Sequence, residues 1–83
     1  MDEIIMKLRI SNLPSSTSDD DLASLFTPFG HVTSPEVLTT THAGRSHGYG
    51  FVEMLREPGE LAMAELDGRQ LDCRVLRVNR AMA

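Results

Sequence analysis

The residues with the most distinctive chemistry are two aromatic side chains that alternate with glycines in the segment Gly48–Met54. In a strand, successive side chains point to opposite faces of the sheet, so Tyr49 and Phe51 share one face and the glycines share the other. Two rings on one face either fill the hydrophobic core or, if exposed, offer a flat apolar surface against which a planar group can stack. The alternation alone leaves both interpretations open.

The other chemistry-bearing residues form no recognisable catalytic or metal-binding pattern. His31, His42 and His47 have no metal-ligand spacing with Cys73, the single cysteine of the chain. The run Asp19–Asp21 is better explained by the start of a helix, where carboxylates interact favourably with the helix dipole, than by a metal site. The glycines near the aromatic pair lack the Gly-Lys-Ser/Thr of a phosphate-binding loop. Since no catalytic Ser/His/Asp set and no catalytic pair of carboxylates can be argued from the sequence either, it predicts no enzyme, no cofactor and no metal.

Composition describes an ordinary globular protein. The chain has 83 residues, 41% hydrophobic and 24% charged, which predicts one domain over 1–83 with a core from about 6 to 81. It contains no apolar run of about 18 residues, and its start lacks the apolar stretch of a signal peptide, so no membrane partner is predicted. A single cysteine cannot form an internal disulfide. This favours a reducing compartment and predicts a cytoplasmic protein, or a nuclear one if the domain belongs to a larger chain.

The charge balance excludes one mode of nucleic-acid binding and permits another. The net charge of −4, from 8 Lys+Arg against 12 Asp+Glu, argues against a protein that coats nucleic acid by its overall charge. A local basic patch stays compatible with this balance if the acids lie elsewhere. Most acids fall in the predicted helices, whereas Lys7, Arg9 and Arg77 fall in predicted strands. We therefore expect a polarised molecule with an acidic helix side.

Hydrophobic periodicity and end signals predict four strands and two helices. The first half of the chain is predicted to contain a strand over 6–11, a loop from Asn12–Pro14 onward, and a helix from the N-cap Ser18 to Pro28 and Gly30. A strand over 32–40, a hairpin loop over 41–47 and a strand over 48–54 follow. The chain is then predicted to form a helix that is opened by 57–59 and closed by Asp67 and Gly68, and a last strand over 75–79. Pro35 lies inside the second strand, where proline is tolerated only at a sheet edge or at a bulge.

Apolar stripes at helical spacing predict which sides of the helices are buried. The stripes are Leu22, Leu25, Phe26 and Phe29 in the first helix and Gly59, Ala62, Met63 and Leu66 in the second. Met6 and Met54 are expected inside as well. The order of elements predicts an α+β fold, the ferredoxin-like βαββαβ (split βαβ) arrangement, with a four-stranded antiparallel sheet and both helices on one face.

Two segments of the predicted sheet resemble motifs of the RNA recognition motif family. Leu8–Leu13 resembles the hexamer of its first strand, and His47–Met54 resembles the octamer of its third strand. Further matches, which extend the resemblance over roughly 7–81, are Leu25-Phe26, Phe29-Gly30, Gly44–Ser46, Leu66–Arg69 and Leu76–Val78. In this family the octamer glycines face the helices and the aromatics face solvent. The resemblance therefore implies that Tyr49 and Phe51 stack the bases of single-stranded RNA.

The resemblance also implies a set of RNA-binding residues on the uncovered face of the sheet, with Arg45 in the hairpin loop and Arg80 after the last strand expected to flank the rings. These are Lys7, Arg9, Asn12, Arg45, His47, Tyr49, Phe51, Arg77, Asn79 and Arg80. Arg9 stands where the family usually has an aromatic residue, but a guanidinium can also stack on a base or pair with a phosphate. His47 stands where Lys or Arg is usual. A histidine with the reference pKa of about 6.5 is mostly neutral at pH 7, which predicts tighter RNA binding at lower pH.

Protein binding is the alternative function. Relatives that hold peptides on their helical face have acidic residues on the first helix and Arg-x-Phe before the last strand; here Arg69–Leu71 has leucine in place of phenylalanine. Those peptide binders tend to lose the sheet aromatics, which this chain keeps. RNA is therefore predicted as the main partner, with other proteins as possible partners of the helical face. Self-association would cover the same rings, and both a stand-alone protein and an excised domain fit the sequence.

Overall fold

The computed structural model describes residues 4–14, 16–42, 45–71 and 74–81, with the backbone alone described for 39–42 and 45–47. The elements are β1 (Ile5–Leu13), α1 (Asp19–Phe26), β2 (Thr33–His42), β3 (Arg45–Leu55), α2 (Arg56–Leu66), β4 (Gln70–Leu71), β5 (Arg74–Val75) and β6 (Arg77–Arg80). Strands β2, β3, β1 and β6 form an antiparallel sheet in that order, and β4 pairs with β5 in a separate ribbon. This confirms the predicted ferredoxin-like α+β fold.

The core lies between one face of the four-stranded sheet and the two helices. Its buried hydrophobic members are Met6, Leu8, Ile10, Leu13, Leu22, Phe26, Val52, Met54, Ala62, Leu66, Leu76 and Val78. Leu25, Phe29 and Met63 are partly buried against this cluster. The predicted helix stripes and the inward position of the two strand methionines are therefore confirmed. Neither helix of the described residues is long and apolar enough to cross a membrane.

Strand β1 continues past its predicted end at Ser11. Asn12 has a positive φ of 65°, and the register with β3 shifts between Ser11 and Leu13, which marks a bulge. After the bulge Leu13 pairs with Gly48 and is fully buried. The prediction of a loop at this point is wrong for Asn12 and Leu13, because a bulge interrupts the alternation from which a strand is recognised.

Helix α1 begins at its predicted N-cap. The Asp21 N–H donates to Ser18 Oγ, and the Ser18 N–H donates to Asp21 Oδ2, both at 3.1 Å, which is a capping box. The Val37 N–H of β2 donates to the Asp19 carboxylate at 2.8 Å. Asp19 and Asp21 thus start the helix and attach it to the sheet, as expected for a structural role.

Strand β2 lies at the sheet edge and contains a bulge around its proline. Ser34 has a positive φ of 51°, and the register with β3 shifts between Thr33 and Glu36. Pro35 therefore occupies both of the settings that tolerate proline within a sheet, an edge and a bulge.

The hairpin between β2 and β3 is more regular than predicted. β2 continues to His42 and β3 starts at Arg45, and the backbones of Thr41 and Ser46 pair between them. The predicted loop over 41–47 is therefore too long, because backbone hydrogen bonds between strands do not need apolar side chains. Gly44 lies outside the described residues.

Helix α2 ends where its sequence predicts. Pro58 lies in its first turn, Asp67 follows its last residue, and Gly68 has a φ of 87°, a conformation that favours glycine. The β4–β5 ribbon then leads to β6. The ribbon was not predicted, since strands of two residues carry no periodic signal. Cys73 lies outside the described residues.

Candidate nucleic-acid interface

Tyr49 and Phe51 lie on the sheet face that the helices leave uncovered. Their neighbours Gly48 and Gly50 are buried, and a Cβ atom at Gly50 would come within 2.6 Å of Leu22 Cδ2 in α1. The glycines therefore face the helices and let β3 approach them closely. Neither ring belongs to the core. The question left open by the alternation is thus decided, since the rings face away from the helices.

The strand register determines which residues surround the rings. We call the outward side chains of the four strands the open face; they are Thr33, Glu36, Leu38, Tyr49, Phe51, Glu53, Leu55, Ile5, Lys7, Arg9, Ser11, Arg77 and Asn79. Phe51 stands between Glu36 of β2 and Arg9 of β1. Tyr49 has Leu38 as its neighbour on β2. The rings therefore lie in the central strands of the open face, and each has one β2 side chain beside it.

Two cations of β1 lie over the two rings. Lys7 Nζ is 4.8 Å from the Phe51 ring centroid, and Arg9 Cζ is 5.6 Å from the Tyr49 ring centroid, both within the range of cation–π attraction. The ring centroids are 6.0 Å apart, with the ring planes at 88°, an edge-to-face arrangement. These contacts explain why the rings are half-buried although no helix covers them.

This arrangement suits a ligand that is planar and negatively charged. The rings offer apolar surface for stacking, while Lys7 and Arg9 have no ion-pair partner among the described residues and offer positive charge. Glu36 and Glu53 oppose that charge on the same face. Binding of such a ligand therefore has to draw on stacking as well as on charge.

The two arginines of β6 both pair with acids at α2. Arg80 is paired in register with Leu8, so its side chain lies on the helix side of the sheet, 3.3 Å from Glu60 of α2. Arg77 belongs to the open face, but its Nε atom is 3.4 Å from Asp67 at the end of α2. The expectation that Arg80 flanks the rings is wrong for its side chain. The reason is that β6 includes Arg80, so strand alternation directs it toward the core side.

The two predicted asparagines are placed differently. The Asn12 amide donates to the Val75 carbonyl at 2.9 Å and accepts from the Arg74 guanidinium at 3.1 Å. Its side chain therefore joins the end of β1 to β5. Asn79 is exposed and stands opposite Arg9 on the open face. Asn79 thus lies on the same face as the rings, two strands away from Phe51, whereas the side chain of Asn12 forms hydrogen bonds within the protein.

Two predicted residues cannot be placed in this arrangement. The side chains of Arg45 and His47 lie outside the described residues, although their backbones belong to β3. Their roles in RNA binding stay predictions. Across the described parts of the chain, no group of three or more His, Cys, Asp or Glu residues could hold a metal ion.

Leu38 belongs to the open face and is not among the residues predicted from the sequence. Its side chain is 36% exposed beside Tyr49. Strand alternation could have indicated this position, because Leu38 directly follows Val37, which is partly buried on the opposite face of the strand. The bulge at Pro35 obscures that signal, since it breaks the alternation at the start of β2.

Comparisons with known proteins agree with this geometry. A sequence profile described as RNA recognition motif matches residues 8–77. The Nostoc sp. protein RbpE is 40% identical over 77 residues, which make up 92% of this chain and 78% of RbpE. Glycine-rich RNA-binding protein 8 of Arabidopsis thaliana is 34% identical over 84 residues, and the chain spans 50% of its length. The crystal structure of RNA Binding Protein PG1 superposes with a TM-score of 0.81 at 37% identity, over 94% of this chain and 95% of PG1.

The family match spans both helices, strands β2 and β3 and most of β1, and it ends at the first residue of β6. It confirms the resemblance that the hexamer and octamer segments indicated. The family comprises binding domains and not enzymes. The chain therefore belongs to the RNA recognition motif family.

Proposed function

We propose that the open face binds short single-stranded RNA, about two to four nucleotides, through bases stacked on Tyr49 and Phe51. The observation that carries this proposal is the ring pair at the centre of an uncovered sheet face, with Lys7 and Arg9 over it. Relatives such as glycine-rich RNA-binding protein 8 are named for RNA binding. Single-stranded RNA suits the face because each base has a π-surface and each nucleotide brings a phosphate.

Lys7 and Arg9 take part in binding by exchanging one partner for another. In the free protein they lie over the ring surfaces that bases would use. A base stacks there when the cation moves aside, and a nearby phosphate then becomes its partner. The exchange is favourable because an exposed cation–π contact contributes about 0.5–1 kcal/mol, whereas a hydrogen bond between charged groups is roughly twice as strong as a neutral one.

The ring geometry limits how the RNA strand can lie. With ring planes at 88°, two bases stacked on the rings as they stand are nearly perpendicular, so the strand turns between them or one ring rotates. Each stack contributes about 1–3 kcal/mol, and association consumes part of that gain. We therefore expect micromolar affinity, with Asn79, Arg77, Arg45 and His47 as peripheral contacts.

Fluorescence of Tyr49 tests the proposal directly. Tyr49 is the only tyrosine, and the chain has no tryptophan, so a stacked base is expected to quench the emission in a saturable way. A duplex RNA of the same sequence is the control ligand, and we expect it to bind at least about tenfold more weakly because its bases are already stacked.

A second arm of the experiment separates RNA from protein ligands. Candidate peptides are titrated under the same conditions as the RNA. Quenching by RNA and not by peptides supports the proposal. Binding of peptides without any response to RNA contradicts it and favours protein binding.

A further inference from the structure

Strand β2 places a carboxylate beside one ring and an aliphatic side chain beside the other. Glu36 is opposite Phe51, and Leu38 is opposite Tyr49. Cβ atoms of directly opposed residues on one sheet face lie about 4.5–5.5 Å apart. The edge of a base stacked on Phe51 therefore comes within reach of the Glu36 carboxylate, whereas a base on Tyr49 meets the aliphatic Leu38.

The bulge in β2 selects which residue stands opposite Phe51. In a strand without the register shift, Pro35 would occupy that position instead of Glu36. The shift includes Ser34 in a positive-φ conformation, which residues other than glycine adopt only infrequently. Bulges often re-aim a side chain beside a functional site. The backbone of β2 is thus arranged so that a carboxylate adjoins the ring.

The surroundings of Glu36 fix its backbone and leave its carboxylate accessible. The next residue, Val37, donates its N–H to Asp19 at 2.8 Å, which anchors the strand after the bulge. Glu36 is exposed. Its carboxylate forms no hydrogen bond or ion pair with the side chains or backbone that the structure describes. A negative charge on a surface that binds a polyanion lowers the affinity, unless the ligand supplies hydrogen-bond donors to that charge.

The chemistry of the bases decides which donors fit. An ionised carboxylate only accepts hydrogen bonds. Guanine presents two adjacent donors, N1–H and the N2 amino group, to its two oxygens. Adenine and cytosine present one amino group each, and uracil presents one N–H between two carbonyl oxygens that repel the carboxylate. We propose that Glu36 is a specificity-determining residue that selects guanine at Phe51, an inference that rests on the proposed RNA binding.

The test compares two single-stranded RNAs that differ in one base. One is an oligouridylate of eight nucleotides, and the other carries a single guanosine at its centre; both dissociation constants are measured by fluorescence anisotropy of end-labelled RNA. We expect the guanosine RNA to bind about tenfold more tightly, as for a bidentate side chain–base contact. Adenosine or cytidine at the same place is expected to give an intermediate affinity. In Glu36→Gln the guanosine preference is expected to fall to about twofold or less.

Glu53→Gln is the matched control, since it removes the same charge from the same face beside Lys7. Both variants are expected to bind the oligouridylate more tightly, because a negative charge is lost, but Glu36→Gln also loses the contact with guanosine. The ratio between guanosine and uridine RNA should change only in Glu36→Gln. Equal affinity of the unmodified protein for both RNAs, or an equal change of the ratio in Glu53→Gln, overturns the assignment. If the unmodified protein binds none of these RNAs, the proposed function itself is refuted.

Discussion

Single residues on the open face both attract and repel a nucleic acid. Lys7 and Arg9 lie over the aromatic rings, while Glu36 and Glu53 stand beside them. Opposed charges on one face reduce the nonspecific attraction to phosphates that a uniformly basic face would have. Stacking on Tyr49 and Phe51 is therefore expected to carry a large share of the binding energy.

The rings provide the most direct prediction. Phe51→Ala or Tyr49→Ala is expected to weaken single-stranded RNA binding by about tenfold or more, because one base stack is lost. Anisotropy titrations measure the affinity, and circular dichroism checks that the fold is retained, since neither ring belongs to the core. Leu61→Ala, which shortens a 54% exposed side chain on α2, is the control and should leave RNA affinity unchanged. Unchanged affinity in both ring variants would disprove the stacking role.

The placement of the arginines gives a second prediction. Arg9→Ala is expected to lower RNA affinity several-fold, because Arg9 lies over Tyr49 on the open face. Arg80→Ala is expected to change the affinity by less than about twofold, because Arg80 pairs with Glu60 on the helix side. The two variants remove the same charge, so equal losses would show that the RNA does not follow the open face.

His47 provides a prediction that rests on the sequence. RNA affinity is expected to increase as pH falls from 7.5 to 6, because protonated histidine interacts favourably with phosphate. His47→Lys, which stays charged over this range, should abolish the dependence. Titrations at both pH values measure the effect, and equal affinity of the unmodified protein at both would rule out this role.

Among the strands and helices, close approach of β3 to its neighbours shapes the open face. A Cβ atom at Gly50 would lie 2.6 Å from Leu22 Cδ2 and 2.8 Å from the Glu36 carbonyl oxygen. The first contact involves α1 and the second involves the backbone of β2. Gly50 thus permits both the packing of the helix and the pairing that brings Glu36 beside Phe51.

Gly50→Ala is accordingly expected to destabilise the fold by about 1–3 kcal/mol, since the added methyl group overlaps atoms that include a backbone oxygen. Urea denaturation measures the free energy of unfolding. Gly68→Ala is the comparison, because nothing lies within 4 Å of its added Cβ atom but its φ is 87°. It is expected to cost about 1–2 kcal/mol through backbone strain alone. A neutral Gly50→Ala would contradict the close packing.

In the molecule as a whole, the separation of charge reconciles a net charge of −4 with a nucleic-acid ligand. Asp67 and Glu60 pair with the arginines of β6, and Asp19 and Asp21 serve the start of α1. These acids therefore lie at the helices and away from the ring pair. The cytoplasmic location and the binding of other proteins at the helical face stay predictions.

Salt dependence measures how many phosphates the face engages. The logarithm of the association constant is expected to fall with the logarithm of salt concentration, with a slope of about −0.7 per phosphate on a single strand. We expect a shallow slope, because Lys7 and Arg9 are the two cations over the rings. Arg9→Ala should reduce the slope by about 0.7. Titrations from low to high salt provide the measurement, and a slope near zero would exclude a charged ligand.

The amino-acid sequence by itself determined the order of the four sheet strands and two helices, the buried stripes of both helices, the Ser18 cap and the family. Those features depend on periodicity, end signals and short motifs, which act within a few residues of the chain. The outward direction of the rings was implied by the family resemblance and is confirmed by the structure. Only the tertiary structure decided that the Arg80 side chain lies on the helix side and that Glu36 stands beside Phe51. Each of these depends on strand register and bulges, and register is set by pairing between strands that are distant in sequence.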